Sequence, residues 1–299
     1  MSTNIPELKP ITGIISDNIS IGKINLYLVF NIFLVIFSGI IFKEVVLSSF
    51  IMESFILVLT IVFVGFQGMD IKAAFRLKIP GIKEIGLTLI TIAAGIYVAS
   101  FIDQLFRFYI QNLGTLPEPK IPQPENIKDF LLTLAAIALF PALAEEALFR
   151  GLVLTGYQKF ITTGRAVFIS ALFFGMAHLS ISNFWGPFIL GLLCGWLVCR
   201  TDSIFPAIIA HFFNNGLTLT VAYFDPNIWE SRLVTVQDLI TALPTFIIAG
   251  VILLLLLLHN QKGFKAIETG KEGLGQIFKH WSTWIFITIF GLLALLEFL

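Results

Sequence analysis

Two carboxylates and one guanidinium fall inside an apolar stretch of this chain. Residues 142–151 read ALAEEALFRG, which sets Glu145, Glu146 and Arg150 among aliphatic and aromatic residues. One Asp, Lys or Arg at the centre of a bilayer costs roughly 2.5 to 3.5 kcal/mol on insertion scales. Charges in such a stretch must therefore pair with each other or face a polar cavity, which makes this segment the first candidate for chemistry.

The helical period of about 100° per residue separates the roles of these charges. Glu146 and Arg150 are four residues apart and share one helix face, with the acid before the base, which is the favourable order for a pair. Glu145 points about 140° away from Arg150. We therefore predict that Arg150 holds Glu146 in a structural ion pair, and that Glu145 faces whatever the helix packs against.

Two histidines and an asparagine occupy other apolar stretches. FFGMAH places Phe174 and His178 four residues apart, and HFFNN does the same for His211 and Asn215, so each pair shares a helix face. Counting the helical rise from the nominal cytoplasmic ends puts these polar groups and Glu145 at depths of roughly 11 to 20 Å, the middle of a core about 30 Å thick. Three helices could therefore bring an acid, two imidazoles and a carboxamide to one site.

The composition indicates the environment of these helices. Of the 299 residues, 57% are apolar and only 13% charged, and the mean hydropathy is +0.91. Soluble domains have about 25% charged residues, and a membrane β-barrel would show segments of about ten residues with alternating polarity. The apolar runs here are continuous, so we predict an all-α, polytopic transmembrane helical bundle of eight or nine spans.

Nine apolar runs are candidate spans, of which the fifth and sixth are the least certain. They are Ile24–Phe42, Val45–Phe66, Ile85–Ile102, Phe130–Phe160, Ala166–Leu179, Phe184–Val198, Ile204–Phe224, Leu239–Leu258 and Trp281–Phe298. A cytoplasmic N-terminus would leave 13 basic residues inside and 5 outside, so the positive-inside rule favours that orientation. The polar start MSTNIPELKP does not resemble a cleaved signal peptide.

Three further segments carry structural predictions. Asp70–Lys83 has apolar and basic residues on a helical period, which is typical of a short interfacial helix or of an ordinary basic loop. Gln111–Asn126 contains four prolines, and we expect an extended external connection there. Pro141 interrupts the long fourth run and should kink it, and a kink beside buried charges often borders a water-filled cavity.

These motifs also resemble those of a known family. EEALFR is similar to the EExxxR motif, FGMAH to FxxxH and HFFNN to HxxxN of the CPBP family of intramembrane proteases, over Pro141 to Gly216. That family includes the type II CAAX prenyl endopeptidases and proteins associated with bacteriocin processing or immunity. Together with the apolar runs and the charge bias, the resemblance predicts a cytoplasmic segment (1–23), N-terminal spans with the interfacial helix and external loop (24–127), a CPBP-like catalytic core (128–224) and C-terminal spans (225–299).

The resemblance, together with the spacing, implies an endopeptidase mechanism. Glu145 would act as general base on a water also held by His178, and His211 and Asn215 would donate to the carbonyl oxygen. The supporting residues would be Glu146, Arg150 and Phe174. The expected partners are membrane lipids and a peptide or lipidated protein, such as a prenylated CAAX chain end entering a cavity reached from the cytoplasm.

Several alternatives remain open at this stage. Glu145 with His178 and His211 is an acceptable zinc set, although we favour a metal-free mechanism. A proton-coupled transporter could use Glu53 and the pair Asp103 and Arg107, and a non-proteolytic bacteriocin-immunity or scaffold protein could keep the same fold. The formal net charge is zero and the basic residues are dispersed, so no nucleic-acid partner is expected. Neither a disulfide nor a metal site is expected of the two cysteines, Cys194 and Cys199.

Overall fold

A computed structural model describes residues 18–114, 122–226, 233–259 and 273–298, most of which are helical. The helices, in chain order, are α1 (Ile21–Ile41), α2 (Val45–Phe66), α3 (Ile71–Ala74), α4 (Ile82–Ile110), α5 (Ile127–Gln158), α6 (Thr163–Ala177), α7 (Trp185–Thr201), α8 (Phe205–Phe224), α9 (Val236–His259), α10 (Gly275–Phe278) and α11 (Trp281–Leu296). By length and composition, α1, α2, α4, α5 and α9 can each cross a membrane, whereas α6, α7 and α11 are shorter apolar helices. The chain is an all-α, multi-pass integral membrane protein.

Each of the nine predicted spans coincides with one of these helices. The largest difference is at α4, which continues to Ile110 where Ile102 was predicted as the end. The added turns contain an ion pair in which Arg107 Nε lies 2.8 Å from Asp103 Oδ2. Because the two charges neutralise each other four residues apart, the helix can extend beyond the purely apolar run.

In the segment predicted as an interfacial helix, only the four residues of α3 form a separate helix, and the last two, Ile82 and Lys83, already belong to α4. Phe75 and Arg76, which follow it, are 4% and 7% exposed. Phe75 packs so closely on Gly151 that a Cβ there would lie 2.1 Å from its ring, and Arg76 donates to Gln158 Oε1 at 2.6 Å. These side chains therefore pack against the end of α5. Of the external connection, residues 115–121 lie outside the described ranges.

Hydrogen bonds between helix ends define one end of the bundle, which we call the basic end. It comprises residues 18–25, 67–83, 155–165, 199–207 and 275–283. The contacts that join these segments are Lys23 with Gln67, Ala74 with Thr155, Arg76 with Gln158 and Ile204, and Asn25 with Thr283. The start of α1 therefore lies at the same end as the last turn of α5 and the start of α8.

The opposite end, which we call the cavity end, is joined in the same way. It comprises residues 42–45, 103–129, 178–187, 221–238 and 297–298, as far as these are described. Its contacts are Arg107 with Ser182, Gln111 with Val234, and Glu297 with Ile181 and Ser182. Successive helices alternate between the two ends, as a multi-pass bundle requires.

The helices α6 and α7, which form a hairpin, are shorter than their neighbours. The two helices have 15 and 17 residues, which at 1.5 Å per residue gives about 22 and 25 Å against a hydrocarbon core of about 30 Å. Their neighbour α4 has 29 residues and α5 has 32. The loop 179–184 that joins them contributes Ser180, Ser182 and Asn183 to the wall of a cavity at this end.

Pro141 interrupts α5, as the sequence predicts, and two π-helical stretches flank it, at Ala135–Leu139 and Ala147–Leu154. Proline has no backbone N–H, so the carbonyls four and five residues earlier lose a donor. Those carbonyls accept side-chain hydrogen bonds instead: Ala136 from Ser49 Oγ at 3.0 Å and Ile137 from Asn215 Nδ2 at 3.3 Å. Neighbouring helices therefore satisfy the backbone that the proline frees.

Candidate active site

The predicted ion pair lies at the centre of the bundle. Arg150 Nη1 is 2.9 Å from Glu146 Oε1, and the two side chains are 1% and 0% exposed. Arg150 also donates through Nη2 to the carbonyl of Gly191 on α7 at 3.1 Å. A Cβ at Gly191 would lie 2.9 Å from the Ala171 backbone, so this glycine allows α6 and α7 to approach. The guanidinium thereby connects α5 to the α6–α7 hairpin.

His211 contacts both glutamates of the motif. Its Nδ1 lies 2.9 Å from Glu146 Oε1, and its Nε2 lies 3.9 Å from Glu145 Oε2. The imidazole is 3% exposed, whereas the Glu145 side chain is 20% exposed. The bond between Glu146 and His211 fixes α8 against α5, a link that spacing along a single helix cannot predict.

Phe174 lies between the two imidazoles. Its ring is 5.2 Å from the ring of His178 and 5.7 Å from that of His211, edge to face in both cases. The guanidinium carbon of Arg150 lies 4.6 Å from the same ring centroid, a cation–π contact. His178, at the end of α6, is held through Nδ1 by the Phe174 carbonyl at 3.0 Å. One aromatic side chain thus separates and orients both histidines.

A cavity of about 740 Å³ extends from the cavity end to these residues. His178, His211 and Asn215 line its inner part, and Arg107 and Ser182 line its outer part. Glu145 is not part of this wall, but it lies beside it through its approach to His211. The cavity therefore makes the two imidazoles and the carboxamide accessible from this end of the bundle.

Glu53 on α2 is a partly buried acid that belongs to none of the three motifs. Its Oε2 and the Oε2 of Glu145 are both buried without a hydrogen-bond partner. Glu53 lies near enough to Glu145 for the two carboxyl groups to interact electrostatically. The only sequence signal for Glu53 is a lone acid within an apolar span, which does not reveal what it faces.

The structure thus brings together residues from three helices that the motifs single out. Glu145, Glu146 and Arg150 come from α5, Phe174 and His178 from the end of α6, and His211 and Asn215 from α8. Within the described residues, no group of three or more His, Cys, Asp and Glu is arranged to hold a metal ion. Cys194 and Cys199 are both buried free thiols.

A comparison with known protein families finds a match over this region of the chain. Residues 127–217 match the model of a family described as type II CAAX prenyl endopeptidase Rce1-like. The matched segment runs from the first turn of α5 to the middle of α8 and contains every predicted site residue. No curated protein and no solved structure shows significant similarity to the chain. The family match supports the resemblance of residues 127–217 to the type II CAAX prenyl endopeptidases of the CPBP family.

Proposed function

We propose that this protein is an intramembrane endopeptidase that hydrolyses a peptide bond with a water activated by Glu145. The observation that carries the proposal is the approach of Glu145 Oε2 to His211 Nε2, at 3.9 Å, beside a cavity lined by His178 and Asn215. This distance is too long for a direct hydrogen bond and suits two groups that share a water. The family match to endopeptidases supports the same chemistry.

Hydrogen-bond partners restrict the roles of the imidazoles. The Glu146 carboxylate and the Phe174 carbonyl are acceptors, so each requires an N–H at Nδ1 of its histidine. In a neutral imidazole, Nε2 then carries a lone pair and accepts a hydrogen bond. His178 in this form can hold a water through its O–H, as proposed from the sequence. His211 can donate to a developing oxyanion only when Nε2 is protonated as well.

Asn215 is the donor that requires no such proton. Its Nδ2 carries two hydrogens, and one donates to the Ile137 carbonyl that Pro141 leaves without a backbone partner. In the proposed reaction, the water oxygen attacks the substrate carbonyl carbon, and Glu145 takes the water proton. Asn215 and protonated His211 donate to the resulting oxyanion. Glu145 then passes its proton to the leaving nitrogen as the C–N bond breaks, which yields a new carboxyl group and an amine.

Glu53 is expected to affect the same proton transfer. Two neighbouring carboxyls disfavour simultaneous ionisation, so Glu53 can influence how Glu145 holds its proton. We expect Glu53→Gln to lower kcat roughly tenfold, or about 1.4 kcal/mol in barrier, with little change in KM. The matched control is Glu44→Gln, an exposed acid at the start of the same helix. A wild-type kcat in Glu53→Gln would show that Glu53 has no role in the reaction.

Two further proposals concern the orientation of the protein in the membrane and the class of its substrate. We propose that the N-terminus is cytoplasmic, because the basic residues are concentrated at the end of the bundle where α1 begins. The partners would be membrane lipids and a peptide or lipidated-protein substrate. The family match suggests a prenylated chain end as one candidate substrate, and the side of the membrane to which the cavity opens determines whether such a chain end can enter it.

A cleavage assay of the purified protein tests the proposal. The substrates would be a farnesylated peptide and a panel of membrane-tethered peptides, with products identified by mass spectrometry. Hydrolysis of an internal peptide bond that depends on Glu145 and His178 supports the proposal, and no cleavage of any substrate contradicts it. Activity that survives exhaustive chelation supports the metal-free form, whereas loss of activity with rescue by added zinc would overturn that form.

A further inference from the structure

The cavity and the start of the chain lie at opposite ends of the bundle. Residues 18–20 and the first turn of α1 are at the basic end, where Lys23 contacts Gln67. The outer cavity wall is formed at the other end by Arg107, Pro122 and Asn183. A cytoplasmic N-terminus and a cavity reached from the cytoplasm, both expected from the sequence, are therefore incompatible.

The distribution of basic residues between the two ends favours the first expectation, a cytoplasmic N-terminus. Among the described residues, nine basic residues lie at the basic end: Lys23, Lys72, Arg76, Lys78, Lys83, Lys159, Arg165, Arg200 and Lys279. Only three lie at the cavity end: Lys43, Arg107 and Lys128. Because the contacts between helix ends assign these residues, the comparison does not depend on how many spans the sequence is divided into.

Acidic residues show the opposite distribution. The cavity end has seven, namely Glu44, Asp103, Glu125, Asp129, Asp225, Asp238 and Glu297, and the basic end has three, namely Asp70, Glu84 and Asp202. The positive-inside rule counts Lys and Arg, and a ratio of nine to three places the basic end in the cytoplasm.

We infer that the cavity opens on the non-cytoplasmic side of the membrane. The inference extends the proposed function, on which its substrate part rests. The substrates are then membrane-tethered peptides whose cleavage site is presented at the outer face. A prenylated chain end in the cytoplasm would meet the basic end instead. The resemblance to CAAX endopeptidases would therefore reflect shared chemistry on a different class of substrate.

Cysteine labelling in intact cells tests the orientation without reference to activity. Glu125→Cys and Lys83→Cys introduce exposed thiols at the cavity end and the basic end, and the native Cys194 and Cys199 are buried, so the wild-type protein is the background control. A membrane-impermeant maleimide should label Glu125→Cys in intact cells and Lys83→Cys only after permeabilisation. The reverse pattern would overturn the inference. Lys128→Cys and Lys279→Cys form a second pair at the same two ends should either first variant fail to fold.

A pair of reporters tests the substrate class. Each is a single-span protein with the same candidate cleavage segment, placed on the outer side in one and on the cytoplasmic side in the other. Wild-type protein, but not Glu145→Gln, should cleave only the outer reporter. Cleavage of only the cytoplasmic reporter would overturn the inference. Cleavage of neither, with the labelling as expected, would contradict the proposed endopeptidase and leave the orientation established.

Discussion

Glu145→Gln is expected to reduce turnover by roughly 10³-fold, within the range that general acid–base catalysis contributes. The amide keeps the size of the side chain but cannot take a proton from water. The protein should still fold, because Glu145 Oε2 makes no hydrogen bond that the substitution would break. Single-turnover kinetics on the best peptide substrate measures the loss of turnover. Thermal unfolding in detergent shows whether the variant is folded.

The matched control is Glu125→Gln, which removes an exposed acid at the cavity end. Its turnover and unfolding temperature should equal those of the wild type. Near wild-type turnover in Glu145→Gln would refute the role of Glu145 as general base, whatever the behaviour of the control.

Arg150→Met is expected to destabilise the fold by roughly 3 to 5 kcal/mol, the cost of leaving one charge of a buried pair without its partner. The substitution leaves the Glu146 carboxylate, which is fully buried, next to His211 alone. It also removes the donor to the Gly191 carbonyl between α5 and α7. Denaturant titration in mixed micelles measures the change in the free energy of unfolding.

Two further variants distinguish the effect of losing the ion pair from the effect of losing a long side chain. Lys83→Met removes an exposed cation and should leave stability unchanged. The double variant Glu146→Leu/Arg150→Met removes both charges and should recover part of the lost stability, although the Nδ1–H of His211 then lacks an acceptor. Wild-type stability of Arg150→Met alone would show that the pair does not hold the helices together.

The contacts within single helices could be predicted from the sequence. The separation of four residues between Glu146 and Arg150 gives their ion pair, and it persists although the surrounding turns are π-helical. The nine apolar runs likewise gave the helices, because continuous hydrophobicity is needed in each membrane-facing segment.

Contacts between helices could not be predicted in the same way. The bond from His211 to Glu146 depends on the rotation of α8 against α5, and the proximity of Glu53 to Glu145 depends on the packing of α2. Periodicity fixes a residue's face on its own helix but not what that face meets. The carbonyl of Ile137 gained Asn215 as its partner only because two distant helices lie side by side.

The end of the bundle at which the cavity opens could not be predicted from the sequence either. Depths counted along each span place the polar groups in the middle of the membrane, where both surfaces are nearly equally distant. The loop between α6 and α7 lines the cavity and contacts Arg107 and Glu297, and these contacts place the opening at the cavity end. The boundaries of these two helices were the least certain in the sequence, so the cavity that their loop lines could not be located.

A double-mutant cycle on Glu145→Gln and His178→Ala tests most directly whether the separate helices act on one water. Groups that act as a unit are non-additive, so each single variant should lose nearly as much kcat as the double variant. All three proteins must show wild-type unfolding in detergent for the comparison. Losses that multiply in the double variant would mean that the two side chains act independently, and the shared water would then be excluded.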